Sequence, residues 1–213
     1  MGGGFRFAEV WLRIAMEETE EKTARRIRAD SVRNRERLLR AAASVFGSGG
    51  QNASLEAVAR SAGVGIGTLY RHFPTREALF EAVYRHEVDH LAAFAAELSG
   101  EPDPIEALRR WLHANVQLVA TKKGMLAALA LAASGSSELY AYSFTTLTKA
   151  VDSLLDRAIR EGRIRSDIEA DELLRTLVGL CSTCDQPGWQ AKVLHMVNIF
   201  LDGLRCCPRR GLL

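Results

Sequence analysis

Residues 54–76 read S-L-E-A-V-A-R-S-A-G-V-G-I-G-T-L-Y-R-H-F-P-T-R, and their punctuation decides the fold. Ser54 is a good N-cap residue, and Leu55, Val58 and Ala59 recur at i, i+3 and i+4, which predicts an amphipathic helix from 54 to about 61. Gly63 lies just past the last periodic position, where glycine can take the left-handed conformation that closes a helix, and Val64 beside it supplies an apolar pin. A second helix is expected from about 65 to 72, burying Leu69 and Phe73 and leaving Ile66, Gly67, Thr68, Tyr70, Arg71 and His72 for an outer face. Pro74 ends it, because the residue before a proline is pushed out of the helical region. Two short helices about a tight turn are a shape that can lay one helix in a groove of duplex DNA.

Outward from this stretch the pattern stays helical. Upstream, Leu38, Leu39, Ala42, Ala43, Val45 and Phe46 form the apolar stripe of a helix over about 31–47, and residues 47–52 are rich in turn formers. Downstream, Thr75 is an N-cap candidate for a longer helix to about Leu98, with Leu79, Phe80, Val83 and Tyr84 inward near its start, and residues 101–104 mark a break. Further helical patterns cover about 105–121, 124–133, 138–162, 169–183 and 189–206, with Gly124, Gly135, Gly162 and Pro187-Gly188 as the punctuation between them. The fold expected is all-α. Three parts are expected: a flexible basic arm at 1–30, a helix-turn-helix domain at 31–76 and a helical bundle at 77–213.

Charge separates the same parts. The stretch from Lys22 to His86 holds 12 Lys or Arg against 5 Asp or Glu, whereas the remainder holds 16 against 21. A basic module fused to an acidic one points to a polyanion partner for the first part, with a solvated basic helix as the plain alternative. The arm carries Arg25, Arg26 and Arg28, which either lie along phosphates or a minor groove or belong to a solvated tail. Residues 1–21 open with three glycines after Met1 and read as a tail or a short helix, and Met16 offers a second start. The longest uncharged runs, 41–55 and 124–137, have 15 and 14 residues, fewer than the roughly 20 that span a bilayer, and Arg6, Glu9 and Arg13 interrupt any signal peptide. The expectation is a cytoplasmic protein with reduced thiols and no membrane span.

Three short helices, the third opening G-I-G-T-L-Y-R-H-F-P-T-R-E-A-L-F, followed by a bundle of about 120 residues, resemble the TetR family of transcriptional regulators. The segment A-G-V-x-x-G-T-L-Y-x-H-F-x-x-[KR]-x-x-L-F carries the resemblance over residues 31–85, and E-G-R-I-R-S-D-I-E-A-D-E-L-L-R is similar to the join before the family's interface helices. The resemblance implies a non-enzymatic regulator, a repressor that binds a palindromic operator in double-stranded DNA as a homodimer. It implies pairing through the helices at 169–183 and 189–206, and release by a small-molecule effector whose identity is unknown. No cofactor is implied. Carried onto this chain, the family's contacts place Ser54 on a phosphate, Gly65, Ile66, Gly67 and Thr68 near base edges, and Tyr70 and His72 on phosphates. Arg76 stands where the family usually has Lys. Ile66 stands where several members have a polar base reader, so hydrogen-bond readout falls on Arg71 and Thr68.

Two other signals compete. His86-Glu87-Val88-Asp89-His90 is a literal H-E-x-x-H, which would suit a helical zinc-dependent hydrolase or a metal sensor, with a downstream Glu such as Glu106 a candidate for a third ligand. Cys181 and Cys184 form one C-x-x-C, and Cys206 and Cys207 are adjacent. A single pair inside an apolar helix reads either as packed thiols or as a redox or metal sensor. The apolar stripes of the last two helices read equally as dimer seam or interior. For an effector site, Trp111, Asn115, Met125, Tyr140, Phe144 and Trp189 are candidate lining residues, with core packing the alternative for each.

Overall fold

The computed structural model describes residues 5–48, 53–128, 137–183, 186 and 188–205. Among them the chain forms eight helices: α1 (Phe5–Gly47), α2 (Leu55–Ser61), α3 (Ile66–His72), α4 (Arg76–Leu98), α5 (Pro104–Ala128), α6 (Ser137–Arg160), α7 (Ala170–Ser182) and α8 (Trp189–Leu204). The one extended pairing among the described residues is an isolated antiparallel bridge between Ile164 and Arg205. No helix there is long and apolar enough to cross a membrane.

The local signals for α2 to α4 act as the sequence predicts. Ser54 Oγ accepts from the Ala57 N–H at 3.2 Å, and Thr75 Oγ1 accepts from the Ala78 N–H at 3.1 Å. Past α2, Gly63 has φ +65°, and the paired bonds Val64 N–H to Ala59 O and Gly63 N–H to Arg60 O, each 3.0 Å, close a Schellman motif. Only a residue without a Cβ adopts that φ cheaply, so the turn angle between α2 and α3 is written into one glycine.

Two helix boundaries need correction. The segment expected as an arm leading into a helix at 31 is itself helical, because α1 begins at Phe5. Between Phe5 and Phe46 there is neither Gly nor Pro, and the Glu, Lys, Arg and Ala of this stretch are strong helix formers; its charge had suggested a tail. Ion pairs between Asp30 and Arg33 and between Glu36 and Arg40 lie along it at helical spacing. The second correction is at Gly124, expected to separate two helices. Here α5 runs through to Ala128, and Gly124 lies directly against the backbone of Phe46: an added Cβ would overlap the Phe46 carbonyl oxygen and sit 2.9 Å from its carbon. The glycine permits a close crossing of α1 on α5 instead of ending a helix. Gly135, Pro187, residues 49–52 and the far end of the pattern expected at 124–133 fall outside the described residues.

One continuous hydrophobic cluster joins the short helices to the bundle, running from Leu38, Phe46, Val58 and Leu69 through Leu79 and Val83 to Trp111, Leu154 and Val197. Polar ties fix the bundle's ends. Arg157 on α6 donates to the Ser99 and Pro102 carbonyls, and Arg109 on α5 donates to Asn198 Oδ1 on α8 at 2.8 Å. Helix α4 leaves the short helices and packs on both α5 and α6, while α1 packs on α2, α4 and α5.

Candidate functional site

The head, formed by the end of α1 with the short helices α2 and α3, presents one face of α3 outward. Leu69 and Phe73 are buried, so α3 is pinned by its inner side, and this fixes what the other side offers. Gly65 is the N-cap, Ile66 is 38% and Tyr70 46% exposed, and Gly67 and Arg71 are exposed with them. Thr68 and His72 are half-buried at the margins, His72 with its ring 6.2 Å from that of Phe73. An added Cβ at Gly65 or Gly67 meets nothing within 4 Å, so packing inside the chain requires neither glycine. Their small size leaves the start of α3 open to a close external approach. Ser54 is half-buried at the start of α2 and Arg76 is exposed at the start of α4.

Arg25, Arg26 and Arg28 are exposed on α1, well ahead of Leu38, the first of its described residues to be buried. Two arginines that sequence reasoning counted only as charge prove to be part of the head. Arg35 lies 5.4 Å from the Phe73 ring centroid, and Arg37 reaches the turn, where its Nη2 would stand 2.6 Å from a Cβ on Gly63. Arg35 precedes Leu38 and Leu39 by three and four residues and Arg37 precedes Ala41 by four, and this spacing to the apolar stripe is the signal that could have placed them.

A second feature is a cavity of about 250 Å³ among α4, α5, α6 and α7. Of the six expected lining residues it collects Asn115, Tyr140 and Phe144, the last two with stacked rings. Trp111, Met125 and Trp189 do not line it. Trp111 is fully buried and donates its indole N–H to the Leu91 carbonyl at 2.9 Å, Met125 is fully buried in the core, and the Trp189 ring lies 4.6 Å from Lys123 Nζ. Sequence reasoning missed Tyr84, Lys122 and Ser143, which also line it. Burial pushes the Lys122 ammonium below its usual pKa and the Tyr84 phenol above its own.

His86 and His90 stand one turn apart on α4 with ring centroids 4.8 Å apart, but among the described residues no group of three His, Cys, Asp or Glu could hold a metal ion. Glu106, the candidate third ligand, pairs with Arg109 at 3.3 Å. The zinc hydrolase reading therefore finds no third ligand among the described residues and is not supported. Burial lowers the His86 pKa, with His90 adding to the effect, and burial raises that of Glu87. Cys181 is buried, and its carbonyl accepts from Lys123 Nζ at 2.8 Å. Cys184, Cys206 and Cys207 fall outside the described residues.

Known proteins share both halves of this arrangement. Residues 38–83 match the bacterial regulatory proteins of the tetR family, and residues 103–206 match the C-terminal domain of SbtR-like transcriptional regulators. A crystal structure of a TetR transcriptional regulator from Streptomyces coelicolor is 43% identical, covers 80% of this chain and 98% of its own, and superposes with a TM-score of 0.69. The transcriptional repressor KstR2 of Mycolicibacterium smegmatis is 26% identical over 66% of this chain and 72% of its own. The regulator UidR of Escherichia coli is 37% identical over 68 residues, 31% of this chain, and the match spans 35% of UidR. With a likeness of that extent running through the short helices and the bundle alike, the chain belongs to the TetR family of transcriptional regulators.

Proposed function

We propose that this protein is a cytoplasmic, DNA-binding transcriptional repressor that acts as a homodimer and is released by a small molecule held in the α4–α7 cavity. The observation that carries the reading is the outer face of α3: Ile66, Gly67, Tyr70 and Arg71 stand exposed on a helix whose other side is locked by Leu69 and Phe73. Gly65 serves as an N-cap in its own right, whereas Gly67, which no packing inside the chain requires, leaves the first turn of α3 open to a close approach of base edges.

Within that reading Arg71 and Thr68 carry hydrogen-bond readout and Ile66 offers only apolar contact, for example to a thymine methyl. Ser54, Tyr70, His72 and Arg76 position the head on phosphates, and Arg25, Arg26 and Arg28 add charge from α1. Dimerisation uses α7 and α8, on which Val178, Met196 and Ile199 are exposed apolar residues, Ile199 at 58%. Leu173, Leu177, Val193, Val197 and Leu201 of the same helices are buried in the chain's own core, so they are not available for a seam. A two-fold axis there sets two copies of α3 on a palindromic site with half-sites about one turn, roughly 10 bp, or more apart.

Helix α4 links the two functions, because it begins beside α3 and carries Tyr84 into the cavity wall. A ligand there shifts the separation of the two heads only if it binds the two arrangements unequally. The reading as repressor follows the name of KstR2. Binding of the full chain to random-sequence duplex DNA, titrated at several salt concentrations, tests it: affinity should fall steeply with salt as phosphates release counterions, and a flat dependence contradicts DNA binding through this basic head.

A further inference from the structure

The cavity's chemistry says more than its size. Its apolar part is formed by Leu118, Val119, Leu126, Phe144, Leu147 and Leu174, and among the described residues its polar part contains two lysines and no carboxylate. Lys123 is engaged by the Cys181 carbonyl and the Trp189 ring. Lys122 has the Tyr84 ring at 5.2 Å and no ion pair with any described residue. Asn115 is 2% exposed, and its Nδ2 is a buried donor with no hydrogen-bond partner. The Ser143 hydroxyl donates to the Tyr140 carbonyl at 2.9 Å, so its proton is already used. Two donors facing one cavity thus lack an acceptor.

Three ligand classes meet this lining differently. A cation encounters two ammonium groups and, among the described residues, no carboxylate to balance them. A neutral apolar molecule fills the space but leaves the Asn115 amide orphaned and the Lys122 ammonium half-buried without a counter-ion, each a standing cost. An anion accepts from both. The volume, about 250 Å³, lies just below the common range for ligand sites, about 300 to 1,000 Å³, and suits a small ligand.

We propose that the ligand of this cavity is a small amphipathic carboxylate, its anionic head accepting hydrogen bonds from Lys122 and Asn115 and its apolar body lying against Phe144, Leu147 and Leu174. This rests on the reading of the cavity as the effector site and adds the chemical class. The lowered Lys122 pKa fits an ammonium waiting for a counter-ion, since an anion beside it restores the charged form. The contrasting cavity between α4 and α5, about 460 Å³ and lined by Glu87, His90 and Glu97, has the opposite polarity and serves as an internal control.

Titration calorimetry of the full chain with octanoate, octan-1-ol and octylamine tests the proposal. Octanoate is expected to bind, the alcohol roughly tenfold to a hundredfold more weakly, and the amine not at all, the ratio being that of a charge-assisted hydrogen bond. Lys122→Met should lose octanoate affinity by a similar factor, Lys122→Arg should retain most of it, and Glu97→Gln should change nothing. Lys122→Arg and thermal unfolding of each variant separate lost binding from lost folding. Equal binding of octanoate and octan-1-ol, undiminished binding to Lys122→Met, or no octanoate binding at millimolar concentration overturns the carboxylate. Leu147→Trp, which fills the cavity, tests the site itself: octanoate binding that survives it removes the cavity reading. Loss of octanol and octanoate binding alike, from equal starting affinities, leaves the site standing and the charge preference refuted.

Discussion

Arg71 and Tyr70 are neighbours on the exposed side of α3, yet they are assigned different work. An arginine paired to a guanine edge supplies about 1 to 3 kcal/mol of discrimination, whereas a phosphate contact is blind to sequence. Arg71→Ala is therefore expected to relax the preferred site, and Tyr70→Phe to weaken all sequences alike. Binding-site logos of the two variants decide it, and an unchanged logo for Arg71→Ala moves that arginine to the phosphates. His86 gives a prediction about stability. Its folded pKa lies below the ordinary 6.5, so the neutral ring is favoured on folding, and the stability this contributes is present above pH 6.5 and lost as pH falls toward the folded value. His90, Glu36, Arg40 and Asp89 also act on that ring. Denaturant unfolding of the wild type should weaken on acidification below about pH 6.5, and His86→Gln should flatten that part of the profile. The exposed placement of Ile66, Gly67, Tyr70 and Arg71 on α3 was legible because it depends on one short register. Lys122 and Ser143 were not, because their position at a cavity is set by α4 and α7, far away in sequence.

At the scale of the element, caps were legible and crossings were not. Ser54, Gly63 and Thr75 act on groups within five residues of themselves, so the bounds of α2 and the starts of α3 and α4 follow from local chemistry. Gly124 looks the same as a helix stop in one dimension. Its reason is the Phe46 carbonyl, which reaches it only in the folded chain. Gly124→Ala is expected to destabilise the protein by about 1 to 3 kcal/mol, the usual cost of overpacking, read as a lower midpoint in thermal unfolding. A variant as stable as the wild type would show that α1 can lift from α5 at no cost. Likewise the continuation of α1 to Phe5 follows from helix propensity that its charge density had masked. Removing residues 1–28 should flatten the salt dependence of DNA binding if Arg25, Arg26 and Arg28 contact phosphates, and an unchanged slope returns them to solvent.

For the whole molecule, the single hydrophobic cluster from Leu38 to Val197 makes head and bundle mechanically continuous, with α1 and α4 as the members common to both. The all-α class and the order of helices, apart from the break expected at Gly124, were readable from periodicity. The division of α7 and α8 into core and outer face was not, since one stripe can serve either. The outward residues Met196 and Ile199 are the ones to change: replacing both by Glu should give a folded monomer with weakened DNA binding, measured by sedimentation. A dimer that persists places the seam elsewhere. The most direct test of the head's role is selection of duplexes from a random pool by the purified full chain. The expected outcome is an enriched inverted repeat with half-sites about one helical turn or more apart. A pool that returns no enriched sequence, or a single half-site bound by one chain, contradicts a two-fold DNA-reading repressor.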